Sequence, residues 1–259
     1  MEINIYNYYK WYWDAMIKYK IRTYTYRREA AIKEYNSDLM RRMLRIHNTK
    51  HLDFFLHSKY INWYLQKWNL YYSMAIYKDG IPKVPFGKFK RDFGNWKHDH
   101  WKDMEGYDYL IDIDADSHKD ITKAQRSALI VAKRFQDTNV PFDIRFSGCG
   151  FHIIVPYSHF KKGKYSFDPT SDRSIYKIYS LIGKKLNEEL SYMIDFSLND
   201  SRRLCKIPYS LALYSRDHIY VCTPLTVKEL KKFTLDYVKP KAVLERLKLA
   251  EMIKRPINL

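Results

Sequence analysis

The stretch 107–116 sets alternating carboxylates directly after an apolar run, and this constrains the fold more than any other feature. It reads Tyr-Asp-Tyr-Leu-Ile-Asp-Ile-Asp-Ala-Asp. Because side chains alternate between the two faces of a strand, Asp112, Asp114 and Asp116 would project from one face. Carboxylates gathered on a buried face repel one another unless a cation neutralises them, and Mg²⁺ or Mn²⁺ prefers oxygen ligands. The stretch predicts part of a metal site; the alternative is a strand that runs into a solvated acidic turn.

The composition favours a polyanionic partner. The chain carries 46 Lys and Arg against 29 Asp and Glu, a formal net charge of +17, and 17% of its residues are aromatic. Aromatic rings stack on bases while Lys and Arg pair with phosphates, so the mixture suits single-stranded nucleic acid. The alternative is that most of the rings pack in the protein's own core.

Several classes of protein are disfavoured by the same sequence. With 259 residues, the chain is long enough for one large domain or two small ones. No apolar run approaches the ~20 residues of a membrane span, and the first residues do not resemble a secretory signal. Cys149, Cys205 and Cys222 form no Cys-x-x-Cys pair. Their spacing argues against a structural zinc site and a disulfide framework, and it suits a reducing cytoplasm.

Hydrophobic spacing predicts a mainly helical N-terminal segment over residues 4–75, which includes an amphipathic helix over 27–44. A strand over 70–76 follows, with an edge strand or loop over 81–89 and a loop over 88–102.

The remainder of the chain has a mixed rhythm of strands and helices. Strands are predicted over 110–114, 142–147, 151–156, 204–207 and 218–221, and helices over 123–136, 173–190, 225–233 and 241–252.

A second group of polar residues reads Ser147-Gly148-Cys149-Gly150-Phe151-His152. Two glycines around one residue predict a tight turn whose backbone amides can face an anion. Ser147 adds a hydroxyl, and His152 on the following strand can donate to a phosphate oxygen. The alternative is an ordinary glycine turn followed by a hydrogen-bonded core histidine.

A third group lies near residue 200. Asp195 follows a short apolar run and would bring a further carboxylate to the metal cluster. Arg203 and Lys206 lie three residues apart on or near a short strand, where they would neutralise a triphosphate. The alternative is a surface ion pair between Asp200 and the arginines beside it.

These three groups, in this order, resemble the motifs of the archaeo-eukaryotic primase superfamily. An apolar strand ending in Asp-x-Asp is matched by residues 110–114, and a Ser-Gly turn leading to a strand histidine by 147–152. The apolar-Asp motif is matched by 194–195. The basic stretch Arg-Leu-x-Arg/Lys-x-Pro-x-Ser-Leu of primase small subunits is matched by 203–211. The likeness covers residues 70–240.

The resemblance implies an α/β (α+β) fold. The catalytic core, with an RRM-like sheet, would span residues 106–222. An N-terminal, mainly helical flanking module would occupy residues 1–105, and a basic helical tail residues 223–259.

The resemblance also implies a template-directed nucleotidyltransferase that makes short primers on single-stranded DNA from NTPs or dNTPs. Two divalent ions, Mg²⁺ or Mn²⁺, would be held by Asp112, Asp114 and Asp195, and Asp116 would not be needed. The nucleotide's phosphates would be bound by Ser147, Gly148, Gly150, His152, Arg145, Arg202, Arg203 and Lys206. A cytoplasmic replication protein of an archaeon, virus or plasmid is expected, with a primase large subunit or a helicase as its protein partner.

The sequence departs from the family in three ways. The turn of the second motif is one residue shorter than in cellular primases and holds Cys149 in place of basic residues, Ala212 stands where the family often has histidine, and the zinc module has no counterpart. A non-catalytic single-stranded nucleic-acid-binding accessory protein is the main alternative. A metal-dependent nuclease or a TOPRIM-type primase is disfavoured, because no apolar strand ending in Glu precedes Tyr107.

Overall fold

The computed structural model describes residues 8, 26–34, 40–46, 68–78, 100–115, 120–190, 194–195, 200, 202–213 and 219–254. The strands are β1 (Arg28–Glu34), β2 (Met40–Ile46), β3 (Trp68–Ser73), β4 (Ala75–Tyr77), β5 (Met104–Tyr107), β6 (Tyr109–Asp114), β7 (Asp143–Phe146), β8 (Gly150–Val155), β9 (Leu204–Lys206), β10 (Leu211–Leu213), β11 (Ile219–Val221) and β12 (Pro224–Leu225). The α-helices are α1 (Ile121–Asp137), α2 (Ile175–Glu189), α3 (Val227–Lys231) and α4 (Pro240–Lys254), and 3-10 helices span His100–Asp103, Tyr157–His159 and Leu235–Val238.

Two four-stranded antiparallel sheets dominate the described part of the chain. The first, called here the N-terminal sheet, has the strand order β2-β1-β3-β9, and the second, the central sheet, has the order β12-β7-β8-β6. Strands β4 and β5 form a two-stranded ribbon, as do β10 and β11. The mixture of helices and antiparallel sheets confirms the predicted α+β fold class.

The central sheet has one polar and one apolar face. Strand β8 lies between β6 and β7 in antiparallel register, so His152 stands beside Asp112 on one side and Arg145 on the other. The opposite face carries buried apolar side chains of the same strands: Ile111, Ile113, Ile144, Phe146, Phe151 and Ile153. Helix α1 packs on this sheet, and the alanines on its buried side allow close approach.

From residue 109 onward, the predicted helices and strands are confirmed, and most of their bounds agree closely with the structure. The strand over 110–114 is β6, the helix over 123–136 is α1, and the helix over 173–190 is α2. The helix predicted over 225–233 is shorter, because Pro224 and Leu225 pair with β7 instead. Thr226 then caps α3 through a reciprocal capping box with Glu229.

The helical prediction for the N-terminal segment is wrong for its two described strands, whereas Tyr8, near its start, is helical as predicted. Residues 28–34 and 40–46 form strands β1 and β2, although a helix was expected over 27–44. Strand β1 lies between β2 and β3 and is also covered on both faces, since the consecutive residues Ala30 and Ala31 are both fully buried. Burial on both faces removes the alternation by which a strand is recognised. The predicted edge strand over 81–89 lies outside the described residues.

A buried ion pair joins the N-terminal sheet to the strand that precedes the acidic motif. Arg28 donates to Oδ2 of Asp108 at 2.5 Å and to the carbonyl oxygens of Ser73 and Met74 at 2.9 and 3.0 Å. The other oxygen of Asp108 accepts the backbone N–H of Tyr157 at 2.8 Å. Arg28 therefore fixes the β5–β6 junction relative to β1.

Within the described part of the chain, none of the helices combines the length and the apolar character needed to cross a bilayer.

Candidate active site

A polar cleft of about 460 Å³ opens where the N-terminal sheet meets the polar face of the central sheet. Strands β6 and β8 and the turn that precedes β8 supply part of its lining, while β1, β2, β3, β9 and the residues just before β9 supply the rest. The lining includes seven of the residues predicted from sequence: Asp112, Asp114, Ser147, His152, Arg202, Arg203 and Lys206.

Asp112 is the buried carboxylate of the cleft, and cations surround it. Its Oδ2 accepts a hydrogen bond from Nη2 of Arg203 at 2.6 Å. Its Oδ1 lies 3.3 Å from Nε2 of His152, an ion-pair distance, but accepts no hydrogen bond from the described residues. Burial alone would raise the pKa of Asp112, but His152 and Arg203 outweigh burial and lower it. Asp112 is therefore ionised.

Asp114 lies two residues further along the same face of β6 and is exposed to the cleft. Burial and the nearby charge of Asp112 raise the pKa of Asp114, and a hydrogen bond from the Cys149 thiol at 3.2 Å only partly offsets them. The two carboxylates thus repel each other, as their spacing predicts.

Asp195 stands opposite Asp112 on a neighbouring stretch of chain. Ile194 and Ile113 form an antiparallel bridge, and the backbone N–H of Asp195 donates to the carbonyl oxygen of Asp112 at 3.2 Å. Directly opposed residues of an antiparallel pair project from the same face. Asp195 is exposed and does not itself line the cleft.

The Ser-Gly turn closes one end of the cleft. Gly148 has a φ of 117°, a conformation that L side chains rarely adopt. Gly150 faces Asp114 across the strand pair, and a Cβ on it would lie 2.1 Å from the carbonyl oxygen of Ile113. Gly150 thus permits the close approach of β8 to β6. The Ser147 hydroxyl is buried and has no hydrogen-bond partner among the described residues, so it is available to a ligand.

His152 connects the two sheets beneath the cleft. Its Nδ1 lies 3.1 Å from the sulfur of Cys205 on β9, and its Nε2 points to Asp112. Burial disfavours the imidazolium, but Cys205 and Asp112 outweigh burial and raise the pKa of His152 to about 10. A protonated His152 holds the Asp112 carboxylate in place and also lines the cleft, so its phosphate contact stays a prediction.

Lys206 and Arg203 bring positive charge to the same cleft from β9 and the residues before it. Nζ of Lys206 donates to the carbonyl oxygen of Ser147 at 2.6 Å, which ties β9 to the Ser-Gly turn. Arg202 is exposed and also lines the cleft.

Arg145 is not brought to the cleft. It is 2% exposed, it donates to the hydroxyl of Tyr72 at 2.5 Å, and it lies over the Tyr72 ring. Its strand, β7, is separated from β6 by β8, so His152 stands between Arg145 and the carboxylates.

Strands β1, β2 and β3 of the N-terminal sheet add three residues to the lining of the cleft, and sequence reasoning did not find them. They are Lys33, Met40 and Tyr71. Tyr71 pairs directly with Lys206 across β3 and β9. The strand at Tyr71 was predicted, but nothing in the sequence indicated that β9 would pair with it, because the two are far apart along the chain.

The donor set fits a hard divalent cation that also binds substrate phosphates. Asp112 offers a buried oxygen without a hydrogen bond, and Asp114 faces the cleft. Among the residues that the structure describes, no three His, Cys, Asp or Glu side chains form a ready metal cage. Mg²⁺ commonly binds one or two carboxylates and completes its coordination with water and substrate phosphates. Two carboxylates at a cleft fit a cation whose remaining ligands come from water or from a bound phosphate.

No family model and no curated protein matches the sequence. Among solved structures, this chain is similar to the polymerase domain of Mycobacterium tuberculosis ligase D in complex with DNA, at 14% identity and a TM-score of 0.56, over 95% of this chain and 88% of that one. Primase RepB′ is aligned over 93% of this chain and 68% of its own, at 11% identity and a TM-score of 0.43. The likeness to the ligase D domain shows that this chain shares the fold of that polymerase domain, in agreement with the predicted α+β fold.

Proposed function

We propose that this chain, which has the primase-polymerase fold, is a template-directed nucleotidyltransferase that synthesises short primers on single-stranded DNA from NTPs or dNTPs. One observation carries the proposal: a single cleft joins two carboxylates on one strand face to a basic edge and a glycine turn. Asp112 and Asp114 form the acidic side, and Arg203 and Lys206 the basic side. Polymerisation needs both, because a cation and a triphosphate must be held together.

The carboxylates of Asp112 and Asp114 would hold the divalent cations, Mg²⁺ or Mn²⁺, with Asp195 as the third carboxylate. When bound, two such ions lower the pKa of the attacking 3′-hydroxyl and stabilise the leaving pyrophosphate. The cross-strand position of Asp195 beside Asp112 supports its place in this set.

The remaining residues position the nucleotide and neutralise its charge. Lys206, Arg202 and Arg203 line the cleft and are suited to the triphosphate. The Ser147 hydroxyl, buried and without a partner among the described residues, and the amides at Gly148 and Gly150 would bind phosphate oxygens from the turn. His152 orients Asp112. Catalysis would rest on positioning and charge neutralisation.

The proposed partner is a single-stranded DNA template. The net charge of +17 favours a polyanion, and the similar ligase D domain was solved with DNA. A primase large subunit or a helicase is the proposed protein partner.

The test is a synthesis assay on a single-stranded template with Mn²⁺ or Mg²⁺ and labelled NTPs or dNTPs, with and without a preformed primer. The native chain should produce new or extended oligomers. The Asp112→Ala/Asp114→Ala variant should lose this activity by a factor of about 10³ or more, because the charge that organises the reacting groups is gone.

An Asp137→Ala/Asp236→Ala variant is the matched control, since it removes two carboxylates outside the cleft. It should retain native activity. If the native chain makes no product under any of these conditions, the polymerase proposal is wrong.

A second candidate is a single-stranded nucleic-acid-binding accessory protein without catalytic activity. The pairing of Asp112 with Arg203 and His152 favours it, because that carboxylate is already neutralised within the protein. Binding of the template by the native chain, with no synthesis and no effect of the Asp112→Ala/Asp114→Ala change, would support this candidate.

A further inference from the structure

A second groove, of about 590 Å³, runs beside helix α2. Most of its lining comes from one side of that helix, and the other contributions come from the chain before it and from one turn near the cleft. The groove residues used below are Tyr176, Lys177, Leu181, Lys184 and Asp200.

The groove and the polar cleft share a border residue. Asp200 lines both of them. Its position is fixed, because its carbonyl oxygen accepts the hydroxyl of Tyr107 at 2.6 Å and its carboxylate accepts the backbone N–H of Arg202 at 2.5 Å. A ligand that lies along α2 can therefore continue past this turn into the cleft.

The groove combines positive charge with exposed apolar surface. Lys177 and Lys184 lie seven residues apart, two helical turns, which places them on one face about 10 Å apart along the axis. Leu181 lies between them and is 60% exposed, one of the few large apolar side chains so exposed in the described part of the chain. Lysines pair with phosphates and apolar side chains contact unstacked bases, so this pattern suits a single strand.

The acidic residues near the groove do not cancel its charge. Lys177 lies 3.4 Å from Asp172, whose side chain is fully exposed. Exposed pairs of this kind are worth little, so a phosphate can replace the carboxylate. The Asp200 carboxylate accepts the backbone N–H of Arg202 and keeps its negative charge, so the groove lining carries two lysines against one carboxylate.

We propose that the α2 groove binds the single-stranded nucleic acid that serves as template or primer in the cleft. The role of the bound strand as template or primer rests on the proposed function. The chemical basis of the inference, the juxtaposition of Lys177, Leu181 and Lys184 beside Asp200 at the edge of the cleft, stands independently of catalysis.

The test is the affinity for a labelled single-stranded oligothymidylate, measured by fluorescence anisotropy over a range of salt concentrations without nucleotide or metal. Lys177→Glu/Lys184→Glu should weaken binding by about tenfold or more. It should also reduce the slope of log affinity against log salt by about 1.4, since each lost phosphate contact on a single strand contributes about 0.7.

Lys133→Glu/Lys228→Glu is the matched control. Both of its lysines are exposed and lie outside the groove and the cleft. It changes the net charge by the same amount, so it reports the loss of long-range attraction alone. Equal weakening by the two double variants would overturn the proposal.

Leu181→Ser tests the base contact separately. It should lower the affinity with an unchanged salt slope, because no phosphate contact is removed. If this variant and Lys177→Glu/Lys184→Glu both bind the oligothymidylate with native affinity, the inference is wrong. The groove would then be a candidate site for a protein partner. Thermal unfolding of each variant confirms that it is folded.

Failure of the groove proposal and failure of the proposed function are distinguishable. Binding is measured without synthesis and can be repeated in the Asp112→Ala/Asp114→Ala variant. An active enzyme whose groove variants bind like the control would overturn only the groove. An inactive chain whose groove variants lose binding would overturn only the polymerase proposal.

Discussion

Asp112 and Asp114 lie on the same face of one strand but in opposite electrostatic settings. Asp112 is buried between Arg203 and His152, which stabilise its charge. Asp114 faces the cleft, where the nearby charge of Asp112 raises its pKa. The same substitution at the two positions should therefore change stability in opposite directions.

Asp114→Asn should raise the free energy of unfolding by roughly 0.5 kcal/mol, since it relieves repulsion between like charges at a partly exposed site. Asp112→Asn should lower it by about 3 kcal/mol, because buried cations lose their counter-charge. Urea unfolding at neutral pH without divalent cations measures both. Equal destabilisation by the two changes would contradict the electrostatic picture. Both variants should lose synthesis.

At the residue scale, the sequence predicts those side chains that follow from local alternation. Asp112 and Asp114 were predicted to share a face, and they do. Arg145 was assigned to phosphates, but its surroundings depend on Tyr72 of the other sheet. No local pattern reports which side chain a distant strand will place opposite. The roles of the site residues themselves stay predictions.

At the scale of elements, the N-terminal sheet forms one wall of the cleft. Lys33, Met40 and Tyr71 line it from this sheet, and Arg28 ties β1 to Asp108 at the junction of β5 and β6. Loss of the Arg28–Asp108 ion pair should therefore disturb the acidic motif, which begins four residues later at Asp112.

Asp108→Ala should lower the free energy of unfolding by about 3–5 kcal/mol, because it leaves the Arg28 guanidinium buried without its counter-charge. Glu105→Ala is the control. It removes a partner of Arg27 at a more exposed site, where the side chains of Arg27 and Glu105 are 18% and 41% exposed, and should cost less than about 1 kcal/mol. Chemical denaturation compares the two. Similar losses of unfolding free energy in the two variants would show that burial does not make the Arg28–Asp108 pair more important for stability than the exposed pair.

The sequence predicts the helices α1 and α2 well, because each has one buried apolar side and one exposed polar side. The same search for one apolar side missed strands β1 and β2. Strand β1 is covered on both sides, and its Ala, Glu and Lys residues favour a helix in isolation. Pairing with β3 overrides that local preference.

At the scale of the whole molecule, the cleft exists only because distant segments meet. Strand β9 pairs with β3 in the N-terminal sheet, and Cys205 on β9 contacts His152 of the central sheet. The order of the motifs along the chain predicted the fold, but the meeting of the two sheets is a property of the packed structure. Charge and aromatic content indicated a class of partner without placing it on the surface.

Because of their positions, the reactivity of the three cysteines should report the separation of the two sheets. All three are reduced thiols: Cys205 and Cys222 are fully buried, and Cys149 is 8% exposed at the wall of the cleft. A thiol-specific chromogenic reagent should modify Cys149 first. Cys205 and Cys222 should react only at the rate at which the sheets separate, since modification requires transient opening.

Nucleotide with Mg²⁺ should slow the modification of Cys149, because the ligand would fill the cleft beside it. A Cys149→Ser variant should lose the fast phase and keep the slow one. Simultaneous reaction of all three thiols in the native protein would show that the sheets are not held together as described. The rates of thiol modification thus report transient opening at the cleft, and no label has to be introduced to measure them.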